Sequence, residues 1–98
     1  MTFRTVEQEI TPILKRNKAT RCDDNLLYIK YVNKKGFSPV HAFENNEYRV
    51  KNGIATYQTV SRIRRKIQER YPELRPTPAQ IEEKKRAERE YKEYARAN

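Results

Sequence analysis

Apolar residues keep helical time through three stretches of this chain and lose it in a fourth. Val6, Ile10, Ile13 and Leu14 recur at the spacing of a helix with one buried face. The run "TVEQ" has the Thr-x-x-Gln form of a capping box at Thr5 and Gln8, which predicts a helix over residues 5–16. Pro12 interrupts it. Lacking an amide hydrogen, Pro12 is expected to kink the helix or to restart it behind Thr11. The second helix is read from "CDDNLLYIKYVNKKG", where Leu26, Leu27, Ile29, Tyr31 and Val32 cover more than one face. It should be the most buried element. Asp23 and Asp24 stand at its positive end, Lys34 and Lys35 at its negative end, and Gly36 is placed to close it in a left-handed cap.

The third periodic stretch surrounds "SRIRRKIQER" and predicts a helix over 57–71, ended by Pro72. Val60, Ile63, Ile67 and Tyr71 share an arc of about 80° at roughly 100° per residue and should face the core. Arg62, Lys66 and Arg70 lie on the adjoining arc with Thr59, and Gln58 and Arg65 complete the outward face. Arg64 falls at the border and is expected to run its stem along the core.

Over residues 37–56 the period disappears. "FSPVHAF" fits a short helix with Ser38 as cap and Pro39 as its first residue. "EYRVKNGIATY" carries Asn52-Gly53 between alternating runs, the mark of a small β-hairpin near 48–57; a polar loop leading into the next cap is the other reading. Beyond the proline-rich connector "PELRPTP", Thr77 and Gln80 form a second Thr-x-x-Gln box with Pro78 at the first helical position. The final helix, 78–97, sets Glu82 ahead of Arg86 and Glu88 ahead of Lys92 at four-residue spacing. Ala87, Tyr91 and Tyr94 line one of its sides. Packing over the core, mating with a second copy and docking a partner all remain open for that side. The expected architecture is all-α: a three-helix, helix-turn-helix-like core in 1–75 and a charged C-terminal helix in 76–98.

Charge changes this picture from a fold to a surface. The 98 residues suffice for one small domain, and with 36% hydrophobic residues and no Trp its core must be thin. The net charge is +9. Eight basic residues against four acidic lie in 1–36, and six against two in 57–75, while 37–56 is balanced and 76–98 is nearly so. Such an excess concentrates polyanions at a surface, so nucleic acid is the expected partner, with an acidic surface of a host protein as the alternative. A face that serves only solubility mixes signs, whereas the outward face of 57–71 carries Glu69 alone among Arg62, Arg65, Lys66 and Arg70. Arginine forks bond guanine edges and phosphates, and an amide such as Gln58 bonds adenine. Duplex DNA contact is therefore assigned to Gln58, Thr59, Arg62, Arg65, Lys66 and Arg70. Lys15, Arg16, Lys18 and Arg21, around the turn after the first helix, are the candidates for phosphate contacts beside it.

Other chemistry is thinly represented. Cys22 is the one cysteine and His41 the one histidine, so no internal disulfide forms and a zinc site is not expected. Asp23 and Asp24 at a helix start read as caps rather than as a catalytic pair. Gly36 and Gly53 are the only glycines, too few for a phosphate-binding loop. No cofactor and no enzymatic activity are expected. No stretch is long and apolar enough for a membrane span and the N-terminus lacks a signal-peptide core, which together predict a cytoplasmic protein without membrane partners.

The order "DDNLLYIKYV", "TVSRIRRKIQERYPELRP" and "EREYKEYAR", over residues 20–96, resembles small proteins encoded by bacteriophages and prophages. The resemblance implies a helical fold and a bacterial host. It also implies an alternative role, because phages encode small proteins that bind and disable host nucleic-acid-handling enzymes such as defence nucleases. A structural or assembly adaptor that self-associates through Tyr91 and Tyr94 is the third expectation.

Overall fold

The computed structural model describes residues 3–97, with side chains over 5–95; Asn98, at the end of the expected C-terminal segment, lies outside them. The described residues form α1 (Phe3–Arg16), a 3-10 turn (Lys18–Arg21), α2 (Asp24–Lys34), α3 (Pro39–Glu44), α4 (Asn46–Asn52), α5 (Tyr57–Arg70), a second 3-10 turn (Pro72–Leu74) and α6 (Pro78–Ala97). They contain no strand, and the fold is all-α.

The three periodic stretches become the three helices that pack on one another: α1 against both α2 and α5, and α2 against α5. Val6, Ile10, Ile13 and Leu14 from α1, Leu27, Tyr28, Tyr31 and Val32 from α2, and Val60, Ile63 and Ile67 from α5 form the centre of the core. The first helix departs from expectation at its start, and at Pro12 it does not restart. It begins at Phe3, so Thr5 lies inside it and does not cap it, and it runs through Pro12 as one helix. Thr11 Oγ1 donates to the Glu7 carbonyl at 2.6 Å beside the proline, and the buried residues on both sides of Pro12 hold the helix to the core. In α2, Asp23 caps the N-terminus by accepting from the Leu26 amide at 3.1 Å, and Gly36 follows the last turn at φ 86°. Ile29 is exposed, whereas Tyr28, a residue the apolar pattern passes over, is fully buried.

Neither a hairpin near 48–57 nor a polar loop over its length forms, because Asn46–Asn52 are helical. Asn45 caps α4 through the Tyr48 amide, and Gly53, at φ 64°, ends that helix in the left-handed conformation where a hairpin would have needed it as a turn residue. The same Asn-Gly pair serves either end. Here burial decides: Ile54 and Ala55 enter the core directly after the glycine. Tyr28 Oη donates to the Ala55 carbonyl at 2.7 Å and the Ala55 amide donates to Tyr31 Oη at 3.0 Å, so two buried phenols of α2 fix the chain just before α5 begins. Ser38 and Pro39 start α3 as expected.

Burial pushes the Tyr28 phenol up to about 12, with the Tyr31 ring adding to the rise and Arg49 opposing it, and burial likewise raises Tyr31. A raised folded-state value means a contribution to stability that is complete below the ordinary tyrosine range near 10 and is lost as pH climbs through the folded-state value. In a spectrophotometric titration, the last tyrosines are expected to ionise only together with the loss of helical circular dichroism, between pH 10 and about 12. Complete tyrosine ionisation by pH 10.5 with the helix signal intact would contradict this packing.

Candidate nucleic-acid interface

Thr56 caps α5, accepting from the Thr59 amide at 3.2 Å and donating to Thr59 Oγ1 at 2.9 Å. The helix stops one residue short of the expected end, because Tyr71 is its C-cap and is 40% exposed instead of completing the core stripe. Val60, Ile63 and Ile67 are buried, while Gln58, Arg62, Arg65 and Lys66 are exposed. One helix therefore has an apolar anchor on one side and three cations with an amide on the other.

A third side of α5 was not legible as such. Asp24, at the first position of α2, receives both forks of the Arg64 guanidinium, Nε on Oδ1 and Nη2 on Oδ2 at 3.2 Å. Ser61 Oγ donates to the same Oδ2 at 2.8 Å. Arg64 Nη1 continues to Gln68 Oε1 at 2.8 Å, and Gln68 Nε2 donates to the carbonyls of Arg21 at 2.8 Å and Leu74 at 3.2 Å. Arg64 thus does not snorkel along the core. Together with buried Ser61 and Gln68 it forms a polar spine that ties α5 to the start of α2 and to both 3-10 turns. Burial raises the Asp24 carboxyl, but the hydrogen bonds from Arg64 and Ser61 and the charges of Arg64 and Lys84 outweigh it, and the net shift is downward. The only sequence signal was the helical position of Ser61 and Gln68 beside Arg64, an arc of polar residues next to the apolar stripe.

The remaining candidates divide. Lys15, Arg16 and Lys18 are exposed. Lys15 shares the groove between α1 and the end of α5 with Arg70, which pairs with Glu7 at 2.9 Å while staying 62% exposed. Such a surface pair is worth little and yields readily to a phosphate. Arg21 is committed elsewhere. Its guanidinium donates to the carbonyls of Leu14 at 2.8 Å, Lys15 at 3.3 Å and Glu73 at 3.4 Å, closing the C-terminus of α1. Thr59 is half-buried, and its Oγ1 accepts from the Thr56 hydroxyl at the cap. Tyr91 and Tyr94 stand apart from this surface on α6, 75% and 69% exposed. Among the described residues, no group of three or more His, Cys, Asp or Glu is placed to hold a metal and no helix is long and apolar enough to cross a membrane.

Comparison with family models, curated proteins and solved structures gives no match, so the reading of this surface rests on its own geometry and chemistry.

Proposed function

We propose that the chain binds duplex DNA through α5, as a small regulatory or accessory protein of phage type. The observation that carries the reading is the separation of α5 into an anchored side and a side of one sign, with Gln58, Arg62, Arg65 and Lys66 outward and Glu69 as the single acid among them. A helix held in this way fits the major groove, with its first turn offered to base edges and its later cations to phosphates. In a helix-turn-helix-like reading of the three-helix core, α5 would be the recognition helix, supported by α1 and α2, which pack on it. Lys15 with Arg70 extends the basic edge toward α1, where a backbone phosphate would sit. Arg21 holds the turn and is not assigned a phosphate.

The same cations also suit an acidic protein surface, and the resemblance to phage proteins favours a host enzyme as that second target. Titration of a labelled random-sequence duplex of about 20 base pairs, run beside affinity capture from bacterial lysate, separates the two readings. DNA binding is expected with a Kd of about 10⁻⁴–10⁻⁶ M near physiological salt, tightening as salt falls. No duplex binding at low salt, with a stoichiometric host enzyme captured, would replace the DNA reading by the inhibitor reading.

A further inference from the structure

α6 is seated on the rest of the molecule by its first turns alone. Its capping box is formed reciprocally, the Thr77 amide donating to Gln80 Oε1 at 3.0 Å and the Gln80 amide to Thr77 Oγ1 at 3.2 Å. Gln80 Nε2 donates to the Lys18 carbonyl at 3.1 Å and Lys84 Nζ to the Cys22 carbonyl at 2.7 Å. Gln80, Lys84, Ala87, Tyr91 and Tyr94 follow one another at spacings of four, three, four and three, so they form one continuous seam. The first two members of the seam are bonded. Ala87 and Tyr91, with Glu88 and Lys92 beside them, form one wall of an open cleft of about 530 Å³, and Asp23, Asp24 and Tyr57 stand on the other. Every described side chain from Ile81 to Ala95 is exposed.

We infer that the second half of this seam pairs antiparallel with the same segment of a second copy of the chain. Charge pattern selects that occupant. Glu88 and Lys92 lie on one flank of the seam, four residues apart, and neither is in an ion pair among the described residues. Antiparallel helices bring like flanks together. With the two-fold axis level with residue 90, Glu88 meets Lys92 of the second copy, and Lys92 meets its Glu88. On the other flank, Tyr94 comes over Ala87 of the second copy, a large side chain against a small one, and the two Tyr91 rings meet at the centre. Parallel pairing would bring unlike flanks together and set Glu88 against Glu83 of the second copy. The near-balance of charge in 76–98, six basic to five acidic, also makes this helix a poor match for a polyanion and a good one for itself. The basic face of α5 takes no part in the pairing.

Sedimentation equilibrium of the full chain between about 10 and 500 µM tests the inference. Two exposed ion pairs and four tyrosines are a small interface, for which a dimer with a Kd of roughly 10–100 µM is expected. E88K alone and K92E alone should each weaken association by about 10-fold or more, since each turns two attractions into two repulsions. The double variant E88K/K92E should associate as the native chain does, and an equimolar mixture of the two single variants should form heterodimers. Y91A/Y94A should be monomeric with helix content retained. A monomer at 500 µM overturns the inference, as does association that none of these substitutions alters or a mixture of single variants that fails to pair.

Discussion

Arg64→Leu is expected to lower stability by about 2 kcal/mol, or about 10 °C in Tm for a domain of this size, although it replaces a polar side chain by an apolar one beside the core. Arg64 and Asp24 are only 16% and 23% exposed, and the guanidinium is bound through both forks. Removing it leaves a half-buried carboxylate with Ser61 as its one remaining side-chain donor and strips Gln68 Oε1 of its partner. The cost is therefore that of stranded acceptors, more than that of a lost surface pair. A double-mutant cycle with Asp24→Asn should return about 1–2 kcal/mol of coupling. The pH dependence has a definite sign. The Asp24 carboxyl is held below its ordinary value of 3.8, so its contribution is present above that pH and disappears as pH falls through the folded-state value. The stability gap between the native chain and Arg64→Leu should accordingly be constant near neutral pH and narrow as pH falls below 3.8 and through the folded-state value. A gap that does not narrow in acid would place the effect elsewhere.

Replacing Arg62, Arg65 and Lys66 together by alanine is expected to weaken duplex binding by about 10²–10³-fold at 0.1 M salt, since each phosphate contact contributes about one power of the salt concentration to affinity. All three are exposed, so thermal unfolding should move by no more than about 1 kcal/mol. Net charge alone is not the cause in this account. Replacing Lys85, Arg86 and Arg89 on α6 removes the same three charges and should weaken binding by about 10-fold or less, through the long-range field only. Equal losses from the two triple variants would mean that the protein attracts DNA without presenting α5 to it.

Local rules carried much of this fold. Caps at Asp23, Ser38 and Thr77, the left-handed Gly36 and the stop before Pro72 are properties of a few adjacent residues, and each appears in the structure as read. The apolar stripe of α5 was equally legible, because burial of Val60, Ile63 and Ile67 needs only the helical period. What escaped the sequence depends on partners far along the chain. Arg64 finds Asp24 forty residues away, and Gln68 reaches the Arg21 carbonyl at a separation of 47, so nothing near either residue distinguished a buried fork from a solvated one. Asn52-Gly53 is compatible with a hairpin turn and with a helix end, and the two tyrosines of α2 that bind Ala55 decided between them. The restart expected behind Thr11 was overruled in the same way, by Ile10, Ile13 and Leu14 being buried on either side of Pro12. Of the candidate site, the outward cations of α5 followed from periodicity. The commitment of Arg21 to three carbonyls did not, because its acceptors lie in the preceding helix and in the second 3-10 turn.

On the proposed function, α5 sets its cations on the phosphates of duplex DNA. The most direct measurement is the affinity of the intact chain for a labelled duplex of about 20 base pairs as salt is varied from about 25 to 300 mM. Contacts from Arg62, Arg65 and Lys66, with Arg70 and Lys15 at the edge, predict a slope of log affinity against log salt of about −3 to −4.5, near −0.9 for each phosphate engaged. Absence of binding at 25 mM salt, or a slope shallower than about −1, would contradict it.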